Sequence, residues 1–213
     1  MDLESEKKLA AQAAALLVEA GMTVGLGTGS TVAYLLPALA RRDLPVRCVA
    51  TSTRTAEVAA GLGLDVELFE SIARLDIAID GADQITPDGW LIKGGGGAHT
   101  REKIVAAAAD RFVVIGDSSK PVDRLRPPVP LELMDFGLAA TLRRLGTVKL
   151  RDAPPSPDGG VIADYTAKFD DPVKLAARLS ACPGVIGHGL FEPALTATVI
   201  IARGHQVERR DLA

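Results

Sequence analysis

Three segments of the sequence combine residue types that chemistry uses. Gly25-Leu26-Gly27-Thr28-Gly29-Ser30-Thr31 follows a short apolar run and opens a helical one, which aims backbone N–H groups and two hydroxyls at an anion. A tight strand-to-helix turn is the alternative. No lysine precedes the Ser-Thr pair as a P-loop requires, and Ser30 occupies the last glycine position of the dinucleotide fingerprint, so ATP and NAD are both disfavoured. Asp80-Gly81-Ala82-Asp83 ends an apolar strand, where paired carboxylates suit acid–base work or hydroxyl recognition, or else form an Asx turn or helix cap.

The third segment runs Lys93-Gly94-Gly95-Gly96-Gly97-Ala98-His99-Thr100-Arg101-Glu102-Lys103. Consecutive glycines lose much backbone entropy on folding unless unusual dihedrals or a close ligand require them. A flexible linker rarely sits between a strand and an alanine-rich helix, so a site loop is expected. Lys93 can stabilise a developing oxyanion, and Glu102 in the first helical turn can move a proton, unless it is simply a solvated carboxylate favoured by the helix dipole. Lys120 in Asp117-Ser118-Ser119-Lys120 can reach a phosphate, as can Lys7, although each also reads as an ordinary surface lysine. His99 and Glu102 have a helical metal-ligand spacing, but no second His-containing cluster accompanies them, so no metal site is expected. No Gly-x-Ser-x-Gly elbow is present, and Cys48 within an apolar strand reads as core.

These segments need elements to hold them. Apolar spacing predicts a helix over Ser5–Ala20, strand Met22–Gly25, a helix over Val32–Arg41 interrupted by Pro37, and strand Val46–Ala50. A helix capped by Ser52, strands Val66–Leu68 and Asp76–Asp80, extended Trp90–Lys93, a helix over His99–Ala109 and strand Phe112–Ile115 follow. The alternation predicts an α/β fold: a Rossmann-like, mostly parallel sheet with helices on both faces, and the glycine loops at its carboxyl ends. Prolines cluster at Arg126-Pro127-Pro128-Val129-Pro130, placing a boundary there. Residues 1–126 with 196–213 then form the main α/β domain and 127–195 a small α+β domain, with Thr196–Ala202 returning to the main sheet.

The 213 residues carry 24 Lys and Arg against 27 Asp and Glu, a net charge of −3 with no basic cluster, which argues against a nucleic-acid partner. No apolar run approaches the ~20 residues of a membrane span, so no membrane partner is expected. The charged amino terminus lacks a signal peptide's apolar core, and the two cysteines are too few for a disulfide framework. A cytoplasmic protein is expected.

In this order and spacing, the segments resemble ribose-5-phosphate isomerase of the A type. The resemblance rests on Gly25–Thr31, Thr51-Ser52, Asp80–Asp83, Lys93–Lys103, Ser119-Lys120 and the Pro183–Phe191 ending, and so spans nearly the whole chain. It implies an aldose–ketose isomerase interconverting ribose 5-phosphate and ribulose 5-phosphate in the pentose phosphate pathway. By the same resemblance, Glu102 is the catalytic base, assisted by Asp80 and Lys93. Asp80 and Asp83 would hold sugar hydroxyls and assist ring opening, with Gly81, Ala82, Gly94, Gly95 and Gly96 along the substrate. Thr28, Gly29, Ser30, Thr31, Lys7 and Lys120 would grip the phosphate. No metal or organic cofactor is implied, and the partners are a small sugar phosphate and a second copy of the chain, as a homodimer or dimer of dimers. Three places depart from the family pattern: Gln84 stands where a glutamate is usual, His99 replaces an apolar residue, and the loop Ser156-Pro157-Asp158-Gly159-Gly160 replaces an asparagine-rich turn. A sugar-phosphate sensor on a similar core is the competing reading. Glu102 in its glycine-led helix, and the lack of a DNA-binding segment, favour the enzyme.

Overall fold

The structure is a computed structural model that describes residues 2–212. In chain order its elements are α1 (Leu3–Ala15), β1 (Thr23–Leu26), α2 (Val32–Ala40), β2 (Arg47–Ala50), α3 (Thr53–Gly61), β3 (Asp65–Val66), β4 (Ile77–Gly81), β5 (Gln84–Ile85), β6 (Leu91–Ile92) and α4 (His99–Ala108). There follow β7 (Phe112–Gly116), β8 (Val129–Leu133), α5 (Leu138–Leu145), β9 (Val148–Leu150), β10 (Val161–Tyr165), α6 (Pro172–Ser180), β11 (Val185–His188), β12 (Leu190–Phe191), β13 (Thr196–Arg203) and β14 (Gln206–Asp211). The chain divides into two compact units. The first comprises the chain through Ala82, Arg101–Pro121 and Ala194 onward; the second comprises Asp83–Thr100 and Val122–Pro193.

The first unit holds a seven-stranded sheet in the order β14-β13-β7-β4-β1-β2-β3, parallel except for β14. Its central strands are short apolar runs, as burial on both faces demands. Along β1, Val24 and Leu26 join a core with Ala10, Ala14, Leu35 and Leu39 of α1 and α2. Gly25 between them meets Val105 of α4 instead. Successive strand residues face opposite sides, so α4 covers the face away from α1 and α2. The α/β class read from the sequence is the one observed.

The second unit holds a four-stranded antiparallel sheet, β11-β8-β10-β9, and a three-stranded one, β12-β6-β5. Its core gathers Trp90, Leu131, Leu133, Tyr165, Leu175 and Leu179.

The structure departs from the sequence reading in four places. α1 stops at Ala15 rather than Ala20, because Leu16, Leu17 and Val18 tighten to i→i−3 bonds and Arg42 caps the carbonyls of Ala15 and Val18. The proline-rich stretch expected to be a boundary leads into β8, buried at every position and paired on both sides, with Pro130 within it. β14 was not expected because an exposed, polar edge strand carries no apolar alternation. Residues 83–100, assigned from the sequence to the main domain, group with the second unit, since β5 pairs with β6 and β6 with β12.

Candidate functional site

In the first unit the strand order reverses at β1, with β2 on one side and β4 on the other. Open parallel sheets bind ligands beyond the carboxyl ends of their strands at such a reversal. Here β1 runs into Gly27–Thr31 and β4 into Asp80-Gly81-Ala82. A Cβ at Gly27 would stand 2.0 Å from the Asp80 carboxyl carbon, so the two motifs meet only because residue 27 has no side chain. Oδ1 of the buried Asp80 accepts from the Thr28 N–H at 3.2 Å and the Gly81 N–H at 2.7 Å.

The Thr28 hydroxyl lies 2.8 Å from that of Thr51, 2.9 Å from Ser52 and 3.2 Å from Thr55, while Thr55 donates to the Gly27 carbonyl at 3.1 Å. Protons run from Thr28 to Ser52, from Ser52 to Thr55 at 3.0 Å and from Thr55 to Gly27, so Thr51 donates to Thr28 and the Thr28 oxygen keeps a second lone pair. Thr28 therefore shapes the loop through both its amide and its hydroxyl. Gly29, at φ +131°, and the exposed Ser30 lead to Thr31, which precedes α2 without a side-chain capping bond. The N–H groups of Gly29–Thr31 lie at the carboxyl end of β1, while those of Ala33 and Tyr34 in the first turn of α2 donate to the Gly29 and Thr31 carbonyls at 3.0 and 3.1 Å.

Glu102 is buried in the first turn of α4, three residues before Val105. That spacing shares one helical face. Val105 comes within 2.5 Å of where a Gly25 Cβ would be, so this face of α4 lies against β1. Lys7 on α1 pairs with Glu4 at 2.6 Å, and Glu4 also accepts from the Tyr34 hydroxyl at 2.9 Å. The lysine and tyrosine bonds hold the Glu4 carboxyl below its ordinary pKa.

Lys120 follows β7. Its loop is tied by buried Asp117, which accepts from the Ser119 N–H at 2.9 Å, and by Glu6, which accepts from the Ser118 N–H at 2.9 Å and the Gly204 N–H at 2.6 Å. Those bonds, Ser118 foremost, lower the Glu6 pKa to about 2. Glu6 thus joins α1, the Lys120 loop and the β13–β14 turn.

In the second unit, Asp83 donates its N–H to the Ile92 carbonyl at 2.8 Å and accepts from the Gly95 N–H at 2.9 Å. A Cβ on Gly95 would approach the Asp83 carboxylate to 2.9 Å. Gly94, at φ +111°, lies against the His99 ring and Pro130; Gly97, at φ +75°, donates to the Gly94 carbonyl and closes a turn. Lys93 is buried, its Nζ 5.6 Å from the centre of the Phe191 ring, and its N–H donates to the Gly189 carbonyl at 2.9 Å. The amide of Gln84 pairs with the Arg126 backbone, donating to the carbonyl and accepting from the N–H, both at 2.8 Å. A carboxylate could only accept, so the amide at this departure from the family pattern matches its partner. His99 is fully buried, as an apolar residue would be.

Sequence reasoning passed over two anchoring residues. Glu6 carried a signal, since it shares the buried stripe of α1 with Ala10 and Ala14 at i, i+4 and i+8, where a carboxylate is out of place unless bonded. Arg151 carried none. It follows β9, forks Asp164 with Nε and Nη2 at 2.8 and 2.7 Å, and donates from Nη1 to the carbonyls of Gly94 and Gly95 at 2.8 and 3.1 Å. Among the described residues no group of three or more His, Cys, Asp or Glu could hold a metal ion, and no helix is long and apolar enough to cross a membrane. Cys48 and Cys182 are buried and unbridged, and burial pushes the Cys48 thiol up to about 12.

Residues 47–206 match the family model of ribose 5-phosphate isomerase A (phosphoriboisomerase A). The chain belongs to this family. Ribose-5-phosphate isomerase A of Caulobacter sp. (strain K31) is 43% identical over 206 residues, covering 90% of this chain and 91% of its own. The enzyme of that name from Roseiflexus castenholzii is 43% identical over 217 residues, covering 94% and 93%. Among solved structures, ribose 5 phosphate isomerase A from Neisseria gonorrhoeae superposes with a TM-score of 0.95 at 30% identity, covering 100% of this chain and 98% of that one. A D-ribose-5-phosphate isomerase in complex with phospho-erythronic acid superposes with a TM-score of 0.92 at 33% identity, covering 99% and 100%.

Proposed function

We propose that this chain interconverts D-ribose 5-phosphate and D-ribulose 5-phosphate through an enediol intermediate. The observation that carries the reading is the buried Glu102 on the face of α4 that lies against β1, the strand at which the sheet order reverses. In the open-chain aldose Glu102 takes the proton from C2, the C1–C2 double bond forms, and negative charge gathers on O1. The Lys93 ammonium opposes that charge. After a proton moves from O2 to O1, Glu102 returns its proton to C1 and the ketose results. Asp80 and Asp83 hold the sugar hydroxyls and assist ring opening, with Gly81, Ala82 and Gly94–Gly96 along the substrate. The N–H groups of Gly29–Thr31, with Thr28, Ser30, Thr31, Lys7 and Lys120, hold the phosphate.

Phospho-erythronic acid, named in the complex of the solved relative, supports the reading chemically. Its carboxylate is planar and anionic, as an enediolate is, and transition-state-like anions of this kind favour sites built for proton transfer next to a carbonyl. Each step needs only proton transfers and charge stabilisation, so the reaction is assigned no metal or organic cofactor. We further infer a cytoplasmic homodimer in the pentose phosphate pathway. Phe136, 88% exposed, and Met134 beside it supply apolar surface for a second copy to cover, which sedimentation would test.

A coupled assay across several sugar phosphates tests the assignment. Ribose 5-phosphate should turn over fastest and EDTA should not slow it. Glu102→Gln should lose about 10²- to 10⁴-fold in kcat, the range of a missing general base. Wild-type turnover by that variant would remove Glu102 as the base.

A further inference from the structure

We propose that Arg151 is a positioning residue for this reaction: its guanidinium, braced by Asp164, fixes which way the peptides of the Gly94–Gly97 turn face. The proposal rests on the isomerase reading above and adds to it a residue far away in sequence from every motif of the site. Four of the five guanidinium N–H bonds are accounted for, two in the planar fork with Asp164 and two on the carbonyls of Gly94 and Gly95. Both members of the ion pair are largely buried, with 20% and 17% of their side chains exposed, and they stand on one hairpin, Arg151 just after β9 and Asp164 in β10 opposite Lys149. The arginine is therefore held before it meets the glycines.

A peptide is planar and trans, so its C=O and N–H point opposite ways. Drawing the Gly94 and Gly95 carbonyls toward Arg151 turns the N–H groups of Gly95 and Gly96 away from it. The Gly95 N–H is the one that Asp83 accepts. The Gly96 N–H, turned the same way, is a fixed dipole for the oxyanion that develops on O1. The Gly97 N–H on the Gly94 carbonyl and Asp83 on the Gly95 N–H already bear on the first of these peptides, whereas without a side chain at any of the four positions the Gly95–Gly96 peptide has little local preference between this arrangement and a flipped one. Such flips cost a glycine peptide little, so an external clamp decides, and Arg151 supplies it.

Arg151→Ala should lower kcat by about 10- to 100-fold, the scale of a displaced donor or a misplaced reacting group, while KM for ribose 5-phosphate stays within about twofold. Guanidinium chloride at non-denaturing concentration should restore part of the lost kcat, and sodium chloride at the same ionic strength should not. Arg151→Lys, which keeps the charge but cannot fork Asp164 and reach both carbonyls, should also lose kcat, and carries the test if the alanine variant does not fold. Wild-type kcat in a folded Arg151 variant, or a loss that falls on KM alone, would overturn the proposal. Glu102→Gln, measured alongside, separates the two readings. Full activity there refutes the isomerase mechanism, whereas an inactive Glu102→Gln beside fully active Arg151 variants refutes the clamp only.

Discussion

A buried charge at a single position is tolerable only when its bonds are complete, and Glu6 and Gln84 illustrate opposite solutions. Glu6 remains ionised because two backbone N–H groups point at it. Its folded pKa of about 2 lies below the ordinary 4.5, so it contributes stability above pH 4.5 that is lost as pH falls toward 2. Wild type and Glu6→Gln should therefore differ most in urea midpoint near neutrality, and the gap should close between pH 4.5 and 2. A gap independent of pH would mean that the charge itself contributes nothing. Gln84 needs no charge, because the Arg126 backbone offers one donor and one acceptor.

At the scale of elements, the β1–α2 loop is shaped by the turn that opens α3. Thr55 lies on α3, yet its hydroxyl reaches back to the Gly27 carbonyl, and with Thr51 and Ser52 it surrounds Thr28. Thr55→Val keeps the shape and removes the hydroxyl. It should destabilise the protein by about 1–3 kcal/mol, the cost of leaving buried polar groups without a bond, and raise KM more than it lowers kcat by loosening the loop that holds the phosphate. Chemical unfolding and steady-state kinetics check the two parts. The Thr51-Ser52 motif was visible in the sequence as a helix start, whereas its second use as a brace for Thr28 depended on β1 and β2 lying side by side.

Across the whole molecule, the two units interleave along the chain. The segment 83–100 supplies β5 and β6, two of the three strands in the sheet that β12 completes, and Trp90 and Ile92 of the second core. A fragment of residues 127–195, cut where the prolines suggest, should therefore fail to unfold cooperatively in urea by circular dichroism. A fragment 127–195 with a sharp two-state transition would show that β5 and β6 are dispensable for that core.

The motifs of the candidate site are legible in the sequence. Glycine, aspartate and lysine motifs are local: a strand end, a turn and a helix start each occupy a few adjacent residues, and their order along the chain is enough to suggest the chemistry. The parallel sheet was legible for the same reason, since its buried strands are short apolar runs separated by helices. Strands such as β8 and β14 were not, because Pro130 and an exposed polar edge mask the local pattern and only pairing partners define them. Nor were the braces. Glu6 meets Gly204 across 198 positions, and Arg151 meets Gly94 across 57. No local propensity encodes such a meeting; it exists only once the sheets have formed and brought distant segments within hydrogen-bonding reach.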